Sequence, residues 1–98
     1  MAENNGNTEN TENNTGQQHV TIYVTDWCPF CKNLRARLDR TETPYTLIDV
    51  EADDEAAAWV ESVNDGNRVV PTVRYSDGSH ATNPEASAVR RKLEELTA

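Results

Sequence analysis

"YVTDWCPFCKNL", residues Tyr23 to Leu34, holds both cysteines of the chain, Cys28 and Cys31. The residues before it alternate: Val20, Ile22 and Val24 fall on one face with Thr21 and Tyr23 between them, the period of a β-strand. The residues after Cys28 change period. Pro29 suits a first helical turn, and Phe30, Leu34 and Leu38 recur every four residues. Cys28 therefore falls where a strand gives way to a helix. Such a pair of thiols can clasp a metal, staple a loop or move electrons.

A helix N-terminus carries roughly half a positive charge and several unpaired N–H groups. Both stabilise a thiolate. Pro29 has no N–H, but those of Phe30 and Cys31 can point back at the Cys28 sulfur. Cys28 is accordingly expected to be an exposed nucleophile of low pKa. Cys31 falls one turn inward, shielded by the helix, within reach of Cys28 but not of a substrate. Asp26, two residues upstream, opposes a Cys28 thiolate unless it is solvated.

The competing readings are weaker. Two cysteines fill half of a tetrahedral zinc shell. The two histidines, His19 and His80, stand far from them in sequence without ligand spacing, so no metal site is expected. A cluster shared between two chains and an inert structural thiol pair stay open. A Cys28–Cys31 bridge closes too short a loop to stabilise much. Cys-x-x-Cys near a βαβ pattern is instead a redox signal.

The chain has 98 residues and a net charge of −8. One domain is the natural count. The negative balance argues against nucleic acid and anionic membranes as partners. Residues 1–18, "MAENNGNTENTENNTGQQ", have only Met1 and Ala2 as apolar side chains. They are expected to be a disordered tail, leaving 19–98 as the folded unit. The tail has neither the basic start nor the apolar stretch of a signal peptide. No run approaches the roughly 20 apolar residues of a membrane span. A soluble, cytoplasmic protein is expected.

"YTLIDV", Tyr45 to Val50, reads as a second strand. "ADDEAAAWVESVNDG" reads as a helix capped by Asp53 or Asp54, burying Ala56, Trp59, Val60 and Val63, and ended by Gly66. "TVRY", "SDG" and "SHAT" read as a strand, turn and short return strand. Asn83 is expected to cap a last helix, with Pro84 at its first position and Val89, Leu93 and Leu96 facing inward. The order β-α-β-α-β-β-α implies an α/β fold: a four-stranded mixed sheet flanked by three helices. Pro71, in "RVVPTV", marks the start of the third strand. It is either a plain strand-starting proline or a cis proline that turns the Val70 N–H and C=O outward toward an extended ligand.

Trp-Cys-Pro-Phe-Cys after a strand, then a helix, then Val-Pro-Thr-Val before a hairpin, resembles the glutaredoxin family from His19 to about Thr97. "TDWCPFC" and "SVNDGNRVVPTVRYSDGSHATNP" are most similar to its actinobacterial mycoredoxin branch, which uses mycothiol. The resemblance implies a thioredoxin fold with a cis proline at Pro71, a nucleophile at Cys28 and a resolving thiol at Cys31. It implies reduction of protein–mycothiol mixed disulfides, with no bound cofactor and mycothiol as co-substrate. The implied partners are S-mycothiolated proteins, mycothiol and, indirectly, a mycothiol disulfide reductase, for a monomeric enzyme. The alternative is a dithiol redoxin donating electrons to ribonucleotide reductase or other protein disulfides.

The departures from the glutathione-using branch fit this. Thr25 stands where that branch carries Lys, and "HATNP" replaces its Gly-Gly and acidic pair. Those features hold the charged ends of glutathione. Mycothiol, an acetylated cysteine on a sugar pair, has no free carboxylate or amine. Thr82 and Asn83 offer hydrogen bonds instead, or serve only as caps. The thiol-binding surface is thus expected at Trp27, Pro29, Phe30, Arg68, Val70, Pro71, Thr82 and Asn83. Trp27 either shields the sulfurs or simply packs; Arg68 either anchors the thiol or forms a surface salt bridge.

Overall fold

The computed structural model describes residues 19–98. The expected disordered tail at 1–18 lies outside the described residues.

The elements run β1 (Val20–Val24), α1 (Pro29–Arg40), β2 (Thr46–Asp49), α2 (Asp54–Ser62), β3 (Thr72–Tyr75), β4 (His80–Thr82) and α3 (Ala86–Thr97). They form one sheet in the order β2-β1-β3-β4. β1 pairs parallel with β2 and antiparallel with β3, and β4 pairs antiparallel with β3. A parallel pair needs a crossover, and α1 supplies it. This is the expected mixed sheet with three helices.

The strand period assigns the two faces. Val20, Ile22 and Val24 of β1 pack with Cys31, Leu34 and Leu38 of α1 and with Ala86 and Val89 of α3. Tyr23 points the other way, into a second cluster with Ala56, Ala57 and Val60 of α2. Val70 touches both clusters. Leu38 is wholly buried where α1 crosses the sheet. Leu38→Ala should cost about 2–5 kcal/mol, cavity included. For a domain this small each kcal/mol lowers Tm by about 4–8 °C. A thermal melt shifted by only a degree or two would show that the site collapses around the missing side chain.

Several boundaries differ from expectation, each for a local reason. β2 is shorter than Tyr45–Val50 because Tyr45 turns aside to donate its hydroxyl to Asp39 at 2.7 Å. α2 is capped by Asp53, whose carboxylate accepts from the Ala56 N–H. It stops at Ser62, not at Gly66. Asp65 (φ 57°) and Gly66 (φ 86°) both take left-handed backbone, and the Gly66 N–H closes the turn onto the Glu61 carbonyl at 2.7 Å. Trp59 is half-buried rather than core. Its ring lies 4.8 Å from that of Tyr23, with the Arg74 guanidinium 4.8 Å from its centroid.

The last helix starts later than expected. Asn83 is not its cap, nor Pro84 its first residue. Asn83 has φ 51° and gives its N–H to the Pro71 carbonyl at 2.8 Å, so it ends the sheet instead. Glu85 is the cap residue, with no side-chain hydrogen bond to the helix. Val89 is buried, and Leu93 and Leu96 are partly so. No helix among the described residues is long and apolar enough to cross a membrane.

Candidate active site

Cys28 is the N-cap residue of α1, in extended conformation (φ −83°, ψ 112°), and Pro29 opens the helix behind it. This geometry turns the Cys31 N–H onto the Cys28 sulfur at 3.1 Å. The helix terminus thus does to this sulfur what it does to bound anions: an N–H and the positive end of the dipole both favour negative charge there.

The second wall comes from the loop before β3. The Val70–Pro71 peptide bond is cis, one of the two readings the sequence left open. The Cys28 thiol donates to the Val70 carbonyl at 3.7 Å. Among the described residues the Val70 N–H makes no backbone hydrogen bond. A donor beside the reactive sulfur is therefore free for an extended ligand.

The expectation of an exposed Cys28 needs correction. Only 3 % of the residue is accessible, because the α1 terminus and the Val70 loop close over it. Cys31 is deeper, at 1 %. Burial is the main cause that pushes the Cys31 thiol up to about 12. Its hydrogen bond to Cys28 adds to the rise, and the Thr25 backbone N–H opposes it. Both cysteines are free thiols. The two are thus unequal: one sulfur sits at the helix mouth, and the other holds its proton behind it.

That inequality has a consequence for stability. A thiol whose pKa rises on folding stabilises the fold fully below its ordinary value, and the contribution is lost as pH climbs toward the folded value. The window is pH 9 to about 12, with a slope of up to about 1.4 kcal/mol per pH unit from this group. Tyr45 and Tyr75 are raised too, mainly by burial, and add to the alkaline loss. Cys31→Ser should therefore flatten the decline above pH 9 without removing it. Denaturant unfolding of both proteins under reducing conditions checks this; parallel curves would disprove it.

The surrounding side chains divide. Phe30 is 61 % exposed and Trp27 66 %. The Trp27 indole N–H donates to Glu51 at 3.0 Å. Nothing in the sequence pattern marked Glu51. Asp26 is exposed, in keeping with a solvated charge. Asn83 is tied to Pro71 through its backbone, so cis loop and sheet end adjoin. Thr82 is exposed, but its hydroxyl already donates to Asn64 at 2.7 Å. Asn64 in turn donates to Val60 O at 2.8 Å and to Thr72 Oγ1 at 3.2 Å, knotting the end of α2 to the two hairpin strands. No sequence signal singled Asn64 out. Arg68 is exposed and ion-paired with Glu61 at 3.3 Å, the surface salt bridge the sequence allowed. Thr25, where the glutathione users carry Lys, is 4 % accessible, and among the described residues its buried hydroxyl has no hydrogen-bond partner. Among the described residues no three His, Cys, Asp or Glu side chains gather as a metal set.

Two unequal thiols, the outer one capping a helix and set against a cis-proline loop, define a thioredoxin-fold thiol–disulfide oxidoreductase. The fold agrees with a crystal structure of a thioredoxin-like protein (TM-score 0.66, 21 % identity, 79 % of this chain and 96 % of that one). The chain belongs to the glutaredoxin family, whose model matches residues 20–81. It is 64 % identical to Mycoredoxin 1 of Corynebacterium glutamicum over 78 residues, 80 % of this chain and 96 % of that protein. It is also 47 % identical to a glutaredoxin-named protein of Mycobacterium tuberculosis over 74 residues, 76 % of this chain and 88 % of that one.

Proposed function

We propose that the enzyme reduces protein–mycothiol mixed disulfides, with Cys28 as nucleophile and Cys31 as resolving thiol. The asymmetry of the two thiols carries the assignment of roles. Cys28 as thiolate attacks the mycothiol sulfur. The mixed disulfide breaks, a Cys28–mycothiol disulfide forms, and the protein thiolate leaves and takes up a proton. A second mycothiol thiolate then attacks the mycothiol sulfur of the adduct, releasing Cys28 and oxidised mycothiol for its own reductase. In the two-thiol route Cys31 instead attacks the Cys28 sulfur, releasing mycothiol and leaving a Cys28–Cys31 disulfide. A proton held as tightly as that of Cys31 slows this second route, because exchange needs the thiolate.

The choice of mycothiol rests on the similarity to Mycoredoxin 1 and on the residues that depart from glutathione users. On this reading the ligand surface comprises Trp27, Pro29, Phe30, Val70, Pro71 and Asn83, and the free Val70 N–H meets the acetylated cysteine backbone. Thr82 and Arg68 serve less, since Thr82 already donates to Asn64 and Arg68 is paired with Glu61. Residues 19–98 suffice for the chemistry, as a cytoplasmic monomer with no bound cofactor. The test is turnover of one protein mixed disulfide with mycothiol and with glutathione as donor. Equal rates would remove the mycothiol assignment and leave a general glutaredoxin.

A further inference from the structure

Between α1 and α3 lies a groove of about 580 Å³ that runs from Phe30 and Asn83 to the last turn of α1. Three guanidinium groups line it: Arg37 and Arg40 from the last turn of α1, and Arg90 from α3. Among the described residues none of the three makes an ion pair, whereas Arg68 and Lys92 each meet a carboxylate. Helix C-termini favour cations, which gives Arg37 and Arg40 a local reason to be there. It gives none for Arg90, which stands nearer the N-terminal end of α3. Glu85 is the one carboxylate among the lining residues. The groove is therefore a net cationic site on a chain whose net charge is −8.

Its position ties it to the reactive centre. Phe30, two residues from Cys28, lines one part, and Asn83, hydrogen-bonded to Pro71, lines another. From Phe30 to Arg40 the helix rises about 15 Å. That is the span of roughly four to five extended residues.

We propose that this groove docks an acidic segment of the protein whose mixed disulfide Cys28 attacks. The inference rests on the reading that the substrate is a protein-bound disulfide. Charge complementarity and the length of the groove select an extended acidic peptide. The overall negative charge repels such a segment at a distance, but salt screens that repulsion beyond about 8 Å. At contact the three arginines, without an ion pair among the described residues, dominate.

The test uses two cysteine peptides of equal length as mycothiol mixed disulfides, one with glutamates and one with lysines near the cysteine. The full chain should favour the acidic peptide by roughly 10-fold in kcat/KM at about 0.15 M salt, and Arg37→Glu with Arg40→Glu should reverse the order. Turnover of a mixed disulfide between mycothiol and mercaptoethanol should be the same for both proteins. The acidic peptide with serine for cysteine, titrated by NMR, should shift the side-chain N–H signals of Arg37, Arg40 and Arg90. Equal kcat/KM for the two peptides, or a preference that survives in the double variant, would overturn the docking site. If no mycothiol disulfide is turned over, the proposed function fails, while the NMR titration still decides the docking.

Discussion

Cys28→Ser should reduce mixed-disulfide turnover to background, a loss of roughly 10³-fold or more, as removal of a nucleophile does elsewhere. Cys31→Ser should keep most of the activity. The expectation follows from position. The Cys28 sulfur accepts the Cys31 N–H at 3.1 Å and lies at the helix mouth. Cys31 sits behind it with its thiol pushed up to about 12. The second mycothiol can attack the adduct from outside, so the one-thiol route does not need Cys31. The hydrogen bond to Cys28 comes from the backbone of residue 31, so a serine there preserves it. Substantial turnover by the Cys28 variant would refute the nucleophile assignment. Collapse of both variants would mean that the Cys28–Cys31 disulfide is an obligatory intermediate.

Mycothiol should exceed glutathione as donor by about 10²-fold or more in kcat/KM. Each charge-assisted hydrogen bond to a glutathione terminus is worth about 1.5–3 kcal/mol. Two missing grips therefore account for a factor of at least that order. The side chain at position 25 is a buried threonine with no charge to offer. In place of an acidic pair, the backbone of Asn83 turns back to Pro71. A neutral sugar thiol loses nothing at either point. Parallel assays with the two thiols against one mixed disulfide decide the matter. A ratio near one would mean that the shared Cys28–Val70–Pro71 frame, and not the rim, governs donor choice.

Much of the architecture was legible from periodicity alone. Alternation assigned β1, four-residue spacing assigned α1, and the Asp-Gly turn placed the hairpin of β3 and β4. Boundaries were less legible where a side chain or a long-range hydrogen bond outweighed local propensity. Pro84 follows a good cap residue, yet α3 begins after Glu85, since Asn83 is already committed to Pro71. Trp59 has core spacing, but beyond Tyr23 the sheet face presents Arg74 of β3 to its ring, so it stays half-buried.

What the sequence by itself determined is therefore local: the element order, a thiol at the junction of a strand and a helix, and a second thiol one turn inside. These follow from backbone dihedral preferences and side-chain period, which act over a few residues. The tertiary structure alone decided what surrounds those thiols. It buried Cys28 by bringing up the Val70 carbonyl, 42 residues away. It set Arg90 across a groove from Arg37 and Arg40. Burial and electrostatic fields depend on distance in space, and no spacing along the chain encodes that until the sheet has brought the helices together.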